Sequence, residues 1–187
     1  VGIGPATNLA IALIIEPALA SRVERIVLMT GAWGEGNVTP AAEFNAFNDP
    51  EALAVVLACG RPVVLATLEL TAQAPATPAR LAALRRAGAG ECLRIACDIQ
   101  ASVPPSRRIG SAGAPLHDPC VIAWLIRPDL FALRPAHASV DLGPGASRGR
   151  TNIDRFCPPE RANVAVLETL DADRFFGLLA ERLARLP

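Results

Sequence analysis

The chain reads as an α/β fold, an open and mostly parallel sheet with helices on its faces, and three observations lead there. Short apolar runs bounded by turn formers recur along it, of which Arg25 to Met29 (RIVLM) and Arg61 to Leu70 (RPVVLATLEL) are the plainest. Strands buried on both faces carry this continuous apolar pattern rather than an alternating one. Between them stand helix-start signals, Asp49-Pro50, Thr77-Pro78 and Asp118-Pro119, in which a capping side chain precedes the residue best suited to the first helical position. Finally, strand and helix patterns alternate in order, as β/α units do.

Taken from the beginning, Val1-Gly2-Ile3-Gly4 reads as a strand end, followed by a helix from Thr7 to Ile15 that stops before Pro17. The strand Arg25 to Met29 opens into a long loop, Gly31 to Asn48. Asp49 caps the next helix, Gly60 lies just past its end, and Arg61 to Leu70 forms the following strand. Thr77-Pro78 starts a helix ending near Gly88, and another runs from Glu91 to Ser102. A Pro/Gly/Ser/Arg loop, Val103 to Leu116, leads to the short helix that Asp118-Pro119 begins. In the last third, Ala136 to Leu142, Arg148 to Phe156 and Asn163 to Leu167 read as strands, and an amphipathic helix runs from Asp171 to Leu186.

A chain of 187 residues with 51% hydrophobic residues suffices for one substantial core, so a single domain over 1–187 is expected. It opens within a strand pattern, which leads us to expect a further segment upstream. A parallel sheet left with an open edge associates readily, so poor solubility is expected of this chain alone.

The balance of 18 basic and 18 acidic residues gives no positive excess that would favour nucleic acid or an anionic membrane, and a small neutral ligand suits it better. Every basic residue is Arg. The absence of Lys excludes Schiff-base chemistry, a phosphate-loop lysine and a pyridoxal anchor on this chain. With no Tyr, aromatic contacts to a ligand fall to Phe, Trp and the histidines His117 and His137. The five cysteines show no C-x-x-C pair or zinc-like spacing, so reduced, mostly buried thiols and a cytoplasmic location are expected. The apolar run Leu9 to Ile15 is too short to span a bilayer, and no basic leader precedes it.

Ligands of open α/β sheets bind beyond the carboxyl ends of the strands, which here directs attention to the loops after Ile3, after Met29 and before Asp118. The second contains Gly36-Asn37-Val38-Thr39-Pro40-Ala41-Ala42-Glu43-Phe44-Asn45, with two side-chain amides and a carboxylate able to meet several hydroxyls. A plain reading leaves the Asn residues in turns and Glu43 in solvent. Leu116-His117-Asp118-Pro119 offers an imidazole that can give a proton and a carboxylate that can hold a hard cation, although Asp118 equally reads as an N-cap. Asp171 and Asp173 read as first-turn carboxylates of the last helix. Arg107 and Arg108, beside Ser106, read as a solvated loop with a phosphate contact as the alternative. Trp33 and Trp124 read as packing groups, Trp33 being nearer the strand-end loops.

In order along the chain, Ile3-Gly4-Pro5-Ala6-Thr7-Asn8-Leu9-Ala10, Ile26-Val27-Leu28-Met29-Thr30-Gly31-Ala32, the G-N-V-T-P-A-A-E-F-N loop and Leu116-His117-Asp118-Pro119 resemble the G-P-L-T-N-L-A, I-V-x-M-G-G, ribose-loop and H-D-P motifs of the inosine–uridine nucleoside hydrolases. The resemblance covers nearly the whole chain, including Thr71 and Gln73 and the turn Ser147-Arg148-Gly149. It implies hydrolysis of the N-glycosidic bond of ribonucleosides to ribose and free base, with a calcium ion as cofactor, a small ribonucleoside as partner and a homo-oligomer as the complete form.

Carried over residue by residue, the resemblance implies that the Ile3 backbone carbonyl and the Asp118 carboxylate hold calcium. Asp118 would also meet the substrate. Asn37, Glu43 and Asn45 would bind the ribose, Met29 would line its pocket, and His117 would give a proton to the departing base. Carboxylates near the sugar suit this chemistry, because charge develops there mostly in the transition state. A His before the metal-binding Asp is closer to the inosine–uridine type than to the purine-specific type, which is similar to having Trp there. Three departures stand out: the family's N-terminal D-x-D-x-G-x-D-D motif is absent, Val103 to Leu116 contains no Tyr, and Ala72 stands where many members have His. A truncated, non-catalytic homologue and a metal-independent sugar-binding module are the alternative readings.

Overall fold

The computed structural model describes residues 1–105 and 112–187, so Ser106, Arg107 and Arg108 lie outside the described residues. The elements follow as α1 (Thr7–Ile15), α2 (Leu19–Arg22), β1 (Ile26–Met29), α3 (Phe44–Asn48), α4 (Pro50–Leu57), β2 (Val63–Ala66), α5 (Leu68–Thr71) and β3 (Pro75–Ala76). They continue through α6 (Pro78–Arg86), α7 (Glu91–Ser102), β4 (Ala114–Pro115), α8 (Pro119–Ile126), β5 (Phe131–Val140), β6 (Thr151–Asp154), β7 (Val164–Leu170) and α9 (Ala172–Leu183).

One five-stranded sheet has the order β1-β2-β7-β5-β6. β1, β2 and β7 are parallel, and Gly2 adds a parallel bridge to Leu28 on the outer side of β1. β5 runs antiparallel to β7, and β6 antiparallel to β5. The side chains of β1 alternate between two cores. Ile26 and Leu28 face a layer containing Ala10 of α1 and Leu53 and Val56 of α4, whereas Val27 and Met29 face α6, α7, α8 and α9 through Leu84, Leu93, Val121 and Phe175. Both faces are therefore covered, which is why β1 and β2 are apolar throughout.

Most elements fall where the sequence signals put them, and the differences are confined to a few segments. Asp49 caps α4 by accepting from the Ala52 N–H at 3.0 Å, Thr77 caps α6, and Asp171 caps α9. The long apolar run Arg61 to Leu70 is not one strand. It leaves the sheet at Ala66, level with Met29, and turns into α5, where the Leu68 N–H donates to the Gly31 carbonyl at 3.0 Å. A run of apolar residues does not distinguish a strand from a buried helical turn. The loop after β1 contains the short α3, β5 begins at Phe131, and β6 is confined to Thr151–Asp154. All five cysteines are free, but only Cys97 and Cys120 are fully buried, Cys92 being exposed, so the thiols are less buried than composition suggested. Among the described residues no helix is long and apolar enough to cross a membrane.

Candidate active site

The carboxyl ends of β1 and β2 lie side by side, Met29 opposite Ala66, and the segments that follow them are bound to one another through the Gly31 peptide. Gly31 adopts φ +82°, and a Cβ there would lie 2.9 Å from the Thr151 hydroxyl oxygen, so this turn requires glycine. Thr151, buried at the start of β6, secures the next residue from both sides: its hydroxyl accepts from the Ala32 N–H at 2.8 Å and donates to the Ala32 carbonyl at 2.7 Å.

Glu43 is 2% exposed, so the plain alternative of a solvated loop carboxylate does not hold. One carboxylate oxygen, Oε2, accepts from the Gly31 N–H at 2.9 Å, the Ala46 N–H at 3.1 Å and the Thr30 hydroxyl at 3.2 Å. The other, Oε1, accepts from the Asn45 N–H at 2.8 Å. Glu43 thus caps α3 and ties that helix to the end of β1. Burial pushes its carboxyl above the usual range, against the opposing pull of these donors.

Asn45 is also buried, and its Nδ2 donates to the Met29 carbonyl at 2.8 Å and lies 3.6 Å from the Met29 sulfur. The Met29 side chain itself packs in the core. Asn37 is exposed, its Oδ1 accepting from the Phe44 N–H at 2.9 Å, which fixes the mouth of the loop.

His117 stands on the other side. Its Nδ1 lies 2.7 Å from the Thr71 hydroxyl oxygen at the end of α5, and burial lowers its pKa. Asp118, next in the chain, does not cap α8, in contrast to Asp49 before α4. Its backbone is already helical, so the carboxylate is not placed over the first N–H groups. Among the described residues that carboxylate has no hydrogen bond or ion pair, and burial alone raises its pKa. Asp118 and Ile3 line one wall of an apolar cavity of about 350 Å³ between α8 and α9. The Ile3 carbonyl accepts no backbone hydrogen bond among the described residues.

Hydrogen bonds therefore run without a break from Asn45 through Glu43, Gly31, Leu68 and Thr71 to His117, joining residues far apart in sequence. Thr30 and Thr71 entered the sequence reading only as matches to family motifs, with no role for their hydroxyls, and Thr151 did not enter it. The available signal was threonine at the ends of strands and short helices, which is too common to single them out. Gln73 is committed to the fold: its Nε2 donates to the Glu69 and Glu168 carbonyls, and its Oε1 accepts from the Leu170 N–H. Trp33 stacks under the Arg155 guanidinium at 4.5 Å, and Trp124 is buried in the core.

The fold is thus an α/β sheet with a buried amide and carboxylate, Asn45 and Glu43, at the end of β1 and an imidazole and carboxylate, His117 and Asp118, before α8. The model of the inosine-uridine preferring nucleoside hydrolases matches residues 1–177, and the chain belongs to that family. It is 40% identical over 183 residues to the pyrimidine-specific ribonucleoside hydrolase RihA of Shewanella woodyi, covering 96% of this chain and 59% of that protein. It is likewise 40% identical over 184 residues to the pyrimidine-specific ribonucleoside hydrolase RihB of Escherichia coli O157:H7, covering 97% and 58%. The crystal structure of the inosine-uridine preferring nucleoside hydrolase of Bacillus anthracis superposes with a TM-score of 0.80 at 31% identity, over 98% of this chain and 58% of that one. This chain thus spans less than two thirds of the length of each of these relatives.

Proposed function

We propose that this chain carries the sugar-binding and base-facing parts of a ribonucleoside hydrolase, which cleaves the N-glycosidic bond to give ribose and free base. The observation that carries the reading is the buried Glu43–Asn45 pair, fixed at the end of β1 and joined by hydrogen bonds to His117. Glu43 Oε1 accepts a single hydrogen bond and retains capacity for a hydroxyl, as does the Asn45 carbonyl oxygen. Together with Asn37 at the rim these groups hold the ribose, over a floor that Met29 supports. Buried carboxylate charge at that position favours the positive charge that grows on the sugar as the bond breaks.

His117 gives its proton to the departing base. Burial lowers the pKa of His117, so its protonated form gives up the proton more readily than an ordinary imidazolium. The Ile3 carbonyl and the Asp118 carboxylate are oxygen donors of the kind a hard cation takes, and neither has a hydrogen-bond partner among the described residues. Calcium takes six to eight oxygen ligands, and when bound it would supply charge that orders ribose hydroxyls and water. Among the described residues no group of three or more His, Cys, Asp or Glu gathers to hold a metal. The same reading carries a small ribonucleoside, rather than nucleic acid or membrane, as the partner. It also carries a homo-oligomeric assembly and a cytoplasmic setting consistent with the five free thiols.

Ribose release from uridine and inosine tests the proposal, with and without calcium chelation. The chain is assayed alone and with the N-terminal portion of the Shewanella woodyi relative supplied in front of it. Calcium-dependent release from the joined protein is the expected result. Silence in both forms, with folding intact, would favour the non-catalytic homologue, and chelator-resistant ribose binding would favour a sugar-binding module.

A further inference from the structure

The Thr71 hydroxyl has two neighbours, His117 Nδ1 at 2.7 Å and the Leu68 carbonyl at 3.2 Å. It is fully buried, whereas among the described residues His117 Nε2 has no partner. A hydroxyl has one proton to give. If that proton goes to the Leu68 carbonyl, the oxygen accepts from His117, and Nδ1 must carry a hydrogen whether the ring is neutral or charged. The opposite arrangement, Thr71 donating to Nδ1, is open only to the neutral ring and would have to reverse whenever the imidazole became protonated. The nearby carbonyl makes that reversal unnecessary.

We propose that Thr71, backed by the Leu68 carbonyl, is the positioning residue that holds His117 in the Nδ1–H form and leaves Nε2 as the nitrogen that exchanges protons with the ligand. The inference rests on the proton-donor role assigned to His117 above. In the step it serves, the Nε2–H bond breaks, the proton goes to a nitrogen of the departing base, and Nδ1–H stays on Thr71 throughout. The support beneath Thr71 is shared with the sugar side. Leu68, which takes the Thr71 proton, donates its own N–H to the Gly31 carbonyl at 3.0 Å, and the Gly31 N–H is held by Glu43 at 2.9 Å. The imidazole orientation is thereby set relative to the ribose-facing carboxylate by rigid backbone.

Imidazole nitrogen and carbon chemical shifts test this without any turnover. The chain has only two histidines, so a His137→Gln variant assigns the His117 signals. At a pH where the ring is neutral, the expected result is the Nδ1–H tautomer in the unmodified protein and in Thr71→Ser, with reversion to the Nε2–H form in Thr71→Val. An Nε2–H ring in the unmodified protein overturns the proposal even if Thr71→Val does not fold. In the joined protein, Thr71→Val should lower kcat about 10- to 100-fold with little change in KM, and Thr71→Ser should restore most of it. If no form releases ribose while the tautomer is as stated, the hydrolase reading fails and the Thr71 assignment stands. Full activity with an Nε2–H ring reverses that outcome.

Discussion

Four donors converge on the Glu43 carboxylate, three of them backbone N–H groups, whereas among the described residues none meets the Asp118 carboxylate. Both carboxylates are at least partly buried and both have pKa values raised by burial. Glu43 is built into the fold: removing it frees N–H groups at the end of β1 and the start of α3. Asp118 costs the fold a desolvated charge and receives nothing in return from the described residues. A buried carboxylate that the fold satisfies has a structural role beside any functional one, whereas Asp118 is only partly buried and leaves its oxygens free for solvent or a ligand.

The largest effect should separate function from stability altogether. His117→Ala in the joined protein is expected to slow ribose release about 10²–10⁴-fold, with the thermal unfolding midpoint nearly unchanged because a single hydrogen bond is lost. Unimpaired turnover with normal nucleoside binding would remove His117 from the chemistry.

On the sugar side the two effects should appear together. Glu43→Gln keeps the shape but replaces one acceptor oxygen with an NH₂ group, so whichever way the amide turns, at least one backbone N–H loses its partner. Such a loss costs about 1–3 kcal/mol, which calorimetry should register as a lower midpoint together with weaker ribose binding. A variant as stable as the parent would mean that the capping role is wrong.

Asp118→Asn should do the reverse, leaving the fold intact while weakening calcium binding. The sign of its pH dependence follows from the raised pKa: folding favours the protonated carboxyl, so stability is lost as pH rises from the ordinary value of 3.8 through the raised one. Melted in chelator at pH 7, the Asn variant should be as stable as the parent or more so, by no more than about 2 °C. The difference should vanish near pH 3, where both side chains are neutral. A marked destabilisation at pH 7 would reveal a structural partner for Asp118.

What the sequence disclosed follows the same division. The α/β class, strands buried on both faces and most helix starts were legible because burial pattern and capping chemistry are local properties, as Asp49, Thr77 and Asp171 illustrate. The Asp118-Pro119 step has the same letters as Asp49-Pro50 and a different outcome, because the backbone before α8 is already helical. The Arg61 to Leu70 run was misread because the chain leaves the sheet at Ala66 and the Leu68 N–H then pairs with the Gly31 carbonyl of the loop after β1, a tertiary contact that no local pattern records. At the site, motif resemblance selected Ile3, Met29, Asn37, Glu43, Asn45, His117 and Asp118, but not what holds them in place. The Gly31 peptide and the hydroxyls of Thr30, Thr71 and Thr151 are joined across long separations that no local pattern records.

The most direct test of the central claim is a crystal structure of the joined protein with calcium and a non-hydrolysable uridine analogue. The account predicts ribose hydroxyls on Glu43 Oε1 and Asn45, the ion on the Ile3 carbonyl and Asp118, and the base beside His117 Nε2. An analogue bound elsewhere, or an ion held without Asp118, would contradict it.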